Sequence, residues 1–556
     1  MCGITGIVST TNIAPQLFDG MKSLEYRGYD SAGMAMLCDG HLEVRKDVGK
    51  IADVEGRQAL STMVGQVGIA HTRWATHGGV TQDNSHPHVS SDGCFAIVHN
   101  GIIENYASLK AELLAHGYAF RSQTDSEVIV HLIAFYHAHG LSVEDALVAA
   151  TARLEGAYAF ALLSTHTPDR LYCARQESPL VIGVSAEALY LASDLNAFGS
   201  YTQQAVYLND GEYAILRADG HCIKTLSTQE DIVRPPTEIS WYRGHVSEKG
   251  PYPHYMLKEI HEGADCIETA LAIPEASIRA LAEQIAARPQ TLLTGVGTAY
   301  YVALIAQYYL ANLADVYIPV ISADEFPTLG KLQRGGMTLA ISQSGETYDT
   351  LKALRHTKAA GGLTAAVVNV PGSSIAREVD QVILQEAGPE ICVLSTKSTI
   401  SQISILLRVA LDLAWLRRGL ETADYQQHLL TLKDLPLTLR DMYTELLPQV
   451  RRVAERYCQT KNWFFIGRGI YSPVALESAL KFKEVSYLHA EGMPGGFLKH
   501  GTIALIDTDT HSVAFLPPQE ESALLNATLA NVQEIRAYGF FQCKGKDCKQ
   551  DTGKDQ

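Results

Sequence analysis

The chain has 556 residues, a formal net charge of -16 and ten cysteines. At roughly 100–200 residues per domain that length implies three or four domains. An acidic balance without a long acidic block argues against a nucleic-acid-binding surface and for a solvated, cytoplasmic exterior. Phosphate ligands stay open, because local loops and helix N-termini hold them whatever the net charge. No apolar stretch reaches the roughly 18 residues that span a bilayer, and Met1-Cys2-Gly3-Ile4 carries no basic signal-peptide segment, so no membrane partner is expected. The scattered cysteines read as reduced thiols. Cys543 and Cys548 form one loose pair without a second, and no metal is expected.

In chain order, residues 1–235 hold short apolar runs broken by Gly, Asn, Asp and His. Val67–Ala70, Phe95–Val98 and Ala157–Leu163 read as strands, and Ser126–His137 as a helix. A layered α/β or α+β domain is expected there. Pro235, Pro236, Pro251 and Pro253 mark a linker, taken as residues 236–285. Strand and helix patterns then alternate. Thr291–Gly295, Thr338–Ile341 and Ala365–Val370 are strands of a parallel sheet with right-handed crossovers. Trp463–Gly469 echoes the first of these and His511–Leu516 the second, a repeat at roughly 170 residues that suggests a duplicated unit. Domains are expected at 286–430 and 450–537, the second incomplete, with a disordered polar tail over 538–556.

Two loops invite a ligand. Ser342-Gln343-Ser344-Gly345-Glu346-Thr347 follows a strand and opens a helix, offering hydroxyl and N–H donors to a phosphate. Ser344 with Thr347 could also be an ordinary capping box. Gly295-Val296-Gly297-Thr298 ends the preceding strand on the same edge, where open α/β sheets bind ligands. It lacks the third glycine of a dinucleotide fingerprint, so NAD is rejected. The second unit has Pro517-Pro518-Gln519-Glu520-Glu521 where the first has its hydroxyl loop, so only the first is expected to hold phosphate.

Met1-Cys2-Gly3-Ile4, Tyr26-Arg27-Gly28-Tyr29-Asp30-Ser31-Ala32-Gly33, His71-Thr72-Arg73-Trp74-Ala75-Thr76-His77-Gly78, His99-Asn100-Gly101 and Thr124-Asp125-Ser126-Glu127 together resemble the class II glutamine amidotransferase domain, an N-terminal-nucleophile hydrolase. The resemblance makes Cys2 the nucleophile, its α-amine the base once Met1 is removed, and Asn100 with the Gly101 N–H the oxyanion donors. Arg73 would hold the glutamine carboxylate and Asp125 its ammonium. Thr76 and His77 would complete the glutamine site, and Trp74 would gate an ammonia path. Judged singly, Arg73 suits a surface ion pair, Asp125 a helix N-cap and Trp74 core packing. The histidines at 71, 77, 86, 88 and 99 have irregular spacing and suit structural hydrogen bonds.

The paired loops, the duplication and Glu390-Ile391-Cys392-Val393-Leu394-Ser395-Thr396-Lys397 resemble the sugar-isomerase (SIS) phosphosugar fold. Behind a glutaminase domain, the whole resembles the glutamine–fructose-6-phosphate aminotransferase (isomerising) family. The implied fold class is α/β: a layered hydrolase domain followed by two doubly wound parallel-sheet SIS units. The resemblance assigns sugar phosphate to Gly297, Thr298, Ser342, Gln343, Ser344, Thr347 and Ser395. It makes Glu484 the carrier of a proton between C1 and C2, Lys481 its helper, and His500 the ring-opening acid acting across a homodimer. By spacing alone, Lys481 and Glu484 suit a solvated i,i+3 ion pair. The substrates implied are L-glutamine and fructose 6-phosphate, with no cofactor. Departures from the family are Ala299 for a common Ser, Phe497 for Glu, and His261-Glu262-Gly263. The match stops near Arg536-Ala537, which raises the expectation of a weakened synthase half. The rival readings are a synthase-defective phosphosugar binder that keeps its glutaminase, and an amidotransferase for another phosphosugar.

Overall fold

The computed structural model describes residues 2–38, 40–75, 77–239 and 249–543, with side chains as far as residue 538. The chain forms two units, Met1–Glu248 and Lys249–Gln556.

The first unit stacks two antiparallel sheets of eight and seven strands among the described residues. The strand Gly3–Ser9 lies inside the first sheet, between Val67–Arg73 and Ala188–Ala192. In the second sheet Phe95–Ile103 pairs with Gly156–Ser164. Side chains alternate across each strand. Ile4, Val8, Val67, Ile69, Ala96 and Val98 therefore share the core between the sheets with Ala161, Leu163, Leu171 and Leu191. The opposite parity faces outward to helices. Ile7, Met34, Met36 and Ala70 meet the helix Ala14–Lys22. Phe95, Ile97 and Phe160 meet the helices Tyr106–Ala115, Glu127–Ala138 and Val143–Thr151. The result is a four-layer helix–sheet–sheet–helix stack.

In the second unit five parallel strands run in the order Val320–Ser322, Thr291–Gly295, Met337–Ser342, Leu363–Val368, Gln381–Leu384. The helices Glu275–Ala287, Thr298–Ala314 and Lys397–Leu416 cover one face, and Tyr348–Ala359 and Ser374–Glu378 the other. Chain order reverses between Thr291–Gly295 and Met337–Ser342, so the loops 295–298 and 342–347 flank the switch point of the sheet. The repeat has three parallel strands among the described residues: His489–Pro494, Asn462–Gly467 and Thr510–Ala514.

Three sequence expectations need correction. The stretch 236–285 is not all linker: it contains the helix Tyr255–Ala272 and most of Glu275–Ala287. Buried Gly263, Ala264, Cys266 and Ala270 give Tyr255–Ala272 an apolar stripe, which the nearby prolines obscured. The tail expected from 538 begins inside the helix Ser522–Cys543; residues 544–556 lie outside the described residues. Finally, Lys397–Leu416 is long and apolar enough, by length and composition, to cross a membrane. It is a core helix, its apolar side chains buried against the sheet. Arg408, a cation within this helix, donates to the Ala270 and Ile273 carbonyls at 2.7 and 3.0 Å.

Ile69 is fully buried between the two sheets. Ile69→Ala should cost the first unit about 2–4 kcal/mol by lost burial plus a cavity, read as a lower urea midpoint. A cost near zero would mean that this layer is loosely packed.

Candidate active sites

Cys2 precedes a strand whose seven residues are all buried. It has the parity of Ile4 and Val8, so it lies on the inter-sheet side. His71 continues the parity of Val67 and Ile69, and Asn100 that of Ala96 and Val98. Three strands thus bring these side chains together at one edge of the core. The Trp74 N–H donates to Cys2 Sγ at 3.3 Å, and the thiol reaches the Trp74 carbonyl at 3.4 Å. The Cys2 carbonyl accepts from Arg27 Nε at 3.0 Å and Asn100 Nδ2 at 3.1 Å. Arg27 is buried and pairs with Asp194 at 3.1 Å; Tyr26 donates to the same carboxylate oxygen at 2.7 Å. Burial pushes the Cys2 thiol above its ordinary pKa, against the pull of the Trp74 hydrogen bond and the Arg73 and Arg27 charges. The thiol therefore needs a base to become a nucleophile at neutral pH.

His71 orients Asn100. Its Nε2 faces two acceptors, the His99 carbonyl at 3.1 Å and Asn100 Oδ1 at 3.0 Å, so it carries the hydrogen. Burial pushes His71 down to about 3, leaving the ring neutral. With Oδ1 held by His71, the Asn100 amide nitrogen is the donor turned toward Cys2. Gly101 has φ +135°, and a Cβ there would lie 2.0 Å from the Ala157 carbonyl oxygen. That position requires glycine.

The other expected histidines serve the same scaffold. His86 stacks on His71 with centroids 4.2 Å apart and accepts the His99 N–H at 3.2 Å. His88 pairs with Thr124 Oγ1 at 3.1 Å, and His99, of outward parity, with Ser126 Oγ at 2.8 Å. Burial lowers the pKa of all three. Among the described residues, no group of His, Cys, Asp and Glu is arranged to hold a metal ion.

Arg73 is buried, not a surface ion pair: it donates to the His77 carbonyl at 2.5 Å and the Gly79 carbonyl at 3.2 Å. The His77 ring meets Tyr106 edge-on at 5.9 Å. Trp74 is exposed rather than part of the core, and meets Tyr29 edge-on at 5.3 Å. Asp125 is not a helix cap. It accepts the Ile103 N–H at 2.8 Å, while Ser126 is the N-cap of Glu127–Ala138. Thr76 lies outside the described residues.

In the second unit the 342–347 loop folds on its own hydroxyls. Ser342 Oγ accepts the Gly345 N–H at 3.0 Å, and Ser344 Oγ the Glu346 N–H at 3.1 Å. Thr347, not Ser344, occupies the N-cap position of the helix Tyr348–Ala359, with no side-chain capping bond, so the capping-box alternative is not formed. Gly345 has φ +66° above Ser373, whose oxygen would clash with any Cβ. Gln343 contributes its carbonyl to the Asn369 N–H at 3.1 Å.

A separate cavity of about 250 Å³ is lined by Glu259, Ser395, Lys397, Tyr443, Glu477 and Lys481, among others. Lys481 Nζ donates to Thr298 Oγ1 at 2.7 Å and to Glu484 Oε2 at 3.1 Å, and lies 3.4 Å from Glu477 Oε1. Lys481 and Glu484 are thus tied to the helix that Gly297 caps with φ +59°, not a simple solvated pair. Ser395 Oγ shares a hydrogen bond with Ser398 Oγ at 2.6 Å. His500 is exposed and does not line the cavity.

Sequence reasoning missed Arg27, Asp194 and Glu477. Arg27 stood inside a quoted motif without a role. Asp194 lies 167 residues from Arg27, and nothing local to it signals the pairing. Glu477 was readable as the i−4 neighbour of Lys481.

Comparison with known proteins agrees with both halves. The family profile described as glutamine amidotransferase domain matches residues 71–200, and that of the SIS domain matches residues 284–411 and 457–537. Proteins named glutamine–fructose-6-phosphate aminotransferase [isomerizing] are similar over nearly the whole chain. The Pseudomonas putida protein is 42 % identical over 97 % of this chain and 89 % of its own length. The Pyrobaculum aerophilum protein is 40 % identical over 100 % and 91 %. The solved C-terminal domain of glucosamine-fructose-6-phosphate aminotransferase from Francisella tularensis is 35 % identical, with a TM-score of 0.50, over 53 % of this chain and 84 % of that one. The class is thus a glutamine amidotransferase domain joined to SIS domains. Within it, the chain belongs to the glutamine–fructose-6-phosphate aminotransferase (isomerising) family. The expectation that the residues beyond Ala537 weaken the synthase half finds no support in these likenesses, which span nearly the whole chain.

The buried neutral histidines set a pH dependence. Their folded pKa values lie below the roughly 6.5 of the unfolded chain, so below that pH the unfolded state binds more protons. The first unit should lose stability as pH falls from about 6.5 toward 3, and His86→Phe should flatten that slope in melting curves. An unchanged slope would show that other groups set it.

Proposed function

We propose that this chain transfers the amide nitrogen of L-glutamine to fructose 6-phosphate and isomerises the product to glucosamine 6-phosphate, releasing glutamate. Near-full-length likeness to proteins of that name carries the reading. In the first unit, removal of Met1 frees the Cys2 amine to take the thiol proton. The thiolate attacks the glutamine amide carbon, Asn100 and Gly101 stabilise the oxyanion, and ammonia leaves. Water then hydrolyses the thioester to glutamate. Arg73 and Asp125 hold the two ends of the amino acid, with Thr76 and His77 beside them and Trp74 as the gate for ammonia.

In the second unit, Gly297, Thr298, Ser342, Gln343, Ser344, Thr347 and Ser395 hold the sugar phosphate. Ammonia condenses with the C2 carbonyl of the open sugar and water leaves. Glu484, helped by Lys481, takes a proton from C1 and returns it at C2, which yields the 2-amino aldose. His500 opens the ring, and its exposure suits a residue offered to a second copy in a homodimer. We read the protein as cytoplasmic and without a cofactor, with a glutaminase domain over residues 1–235 and SIS domains over 286–430 and 450–537.

Two experiments test the halves separately. Cys2→Ala should abolish glutamate release, with Cys2→Ser leaving at most a slow residue because an alkoxide forms less readily than a thiolate; unchanged release in Cys2→Ala would overturn the assignment. Ser344→Ala or Thr347→Ala should weaken fructose 6-phosphate binding by about 1–3 kcal/mol and spare sugar-free glutaminase activity. Equal losses in both activities would make the loop structural. Offering other sugar phosphates in the same assay tests the substrate.

A further inference from the structure

We propose that Glu477 is a positioning residue of the sugar site: its carboxylate holds the Lys481 ammonium between Thr298 and Glu484, and so sets how the Lys481–Glu484 pair meets substrate. This rests on the roles given to those two residues above.

Glu477, Lys481 and Glu484 are spaced four and three apart on the helix Tyr471–Ser486, so they share one face. Thr298 reaches the same ammonium from another helix. The Glu477 side chain is 11 % exposed, against 34 % for Glu484. Its two oxygens are buried and meet no strictly aligned donor; the Lys481 ammonium, 3.4 Å away, is its ion-pair partner, and the Thr298 hydroxyl lies close enough to pull on its charge. A buried carboxylate in that state persists only beside a cation.

The neighbouring buried acids are different. Glu259 accepts the Ile391 and Cys392 N–H groups at 2.6 and 2.9 Å, and Glu390 those of Thr396 and Ser398 at 2.7 and 3.1 Å. Both hold the backbone of the 391–398 segment. Glu477 holds no backbone; it acts on Lys481.

The groups facing it from every side support this. From its own helix come Lys481 and Glu484. Tyr301 faces it from Thr298–Ala314. Across the cavity lie Glu259, Tyr443 and Lys397, with Lys397 bound to Glu262 at 2.9 Å, and Cys392 senses the Lys481 charge. Burial raises the Glu477 pKa to about 7, with a smaller push from the Glu484 charge, against the pull of Lys481 and the Thr298 hydroxyl. The carboxylate thus gains and loses its charge around neutrality, and Lys481 is shared between two acids only above that pH.

The test uses the full chain and measures glucosamine 6-phosphate and glutamate separately across pH. In the parent protein, synthesis should fall as pH drops through about 7. Glu477→Gln should lose that limb and lower kcat for synthesis about 10-fold above it, with KM for fructose 6-phosphate changed less than about threefold and glutamate release unchanged. Glu477→Asp should restore part of kcat and the limb. A raised carboxylate pKa costs folded stability as pH rises through the window from about 4.5 to 7, so Glu477→Gln should melt no lower than the parent at about pH 8. A purely structural residue would melt lower and lose synthesis only in proportion to the unfolded fraction, which would overturn the proposal. So would a Glu477→Gln chain with the parent kcat and pH profile. Lys481→Ala and Glu484→Gln run in parallel: if they keep synthesis, the underlying assignment falls, whereas if they lose it while Glu477→Gln does not, only this proposal falls.

Discussion

The glutamine half depends on one constraint: its first strand must lie fully buried in the interior of a sheet. Gly3–Ser9 is paired on both sides, and all seven residues are buried. A slip of one residue would turn Ile4 and Val8 out of the inter-sheet core and Cys2 away from His71 and Asn100. The same apolar parity that packs the core therefore places Cys2 beside His71 and Asn100. Gly3 adds a local demand, since a Cβ there would lie 2.6 Å from Thr72 Oγ1.

Placing a reactive end at a core edge requires polar groups to be buried, and the fold satisfies them in neutral or paired form. His71, His86 and His99 are neutral rings bonded to acceptors, hydroxyls and each other's backbone. Arg27 carries its charge inward only with Asp194 beside it. Buried ions without such partners would cost several kcal/mol each. The arrangement is also directional. Each hydrogen bond in the chain from His71 through Asn100 to Cys2 fixes which end of the next group donates.

The sugar half obeys a different rule. Parallel strands direct their carboxyl ends to one edge, and the reversal of chain order opens a crevice there. Gly297 and Gly345, both at positive φ, let two helices start at that edge. Lys481 arrives from the helix that follows Asn462–Gly467, the first strand of the repeat, and bonds to Thr298, 183 residues earlier. A hydroxyl of the first copy and a cation of the second thus meet in one cluster.

Much of this was legible in the residues. Strand runs such as Val67–Ala70 and Thr291–Gly295, the hydroxyl loop and the glutaminase motifs are local patterns, and local backbone preference with side-chain parity is enough to write them. Membership in the aminotransferase family followed from those motifs. What the sequence alone could not supply were relations between distant positions. Asp125 reads as a cap from its neighbours, yet its carboxylate meets Ile103. Arg73 reads as a surface cation, yet loop carbonyls surround it. The helix Tyr255–Ala272 was hidden by flanking prolines, and its stripe has meaning only against the helix Lys397–Leu416 it packs on. Sequence determined which chemistry the chain carries, because chemistry belongs to residue types. Tertiary structure decided which charges are paired, which rings are neutral and which carboxylate answers to Lys481, because those depend on burial and on partners brought close only by folding.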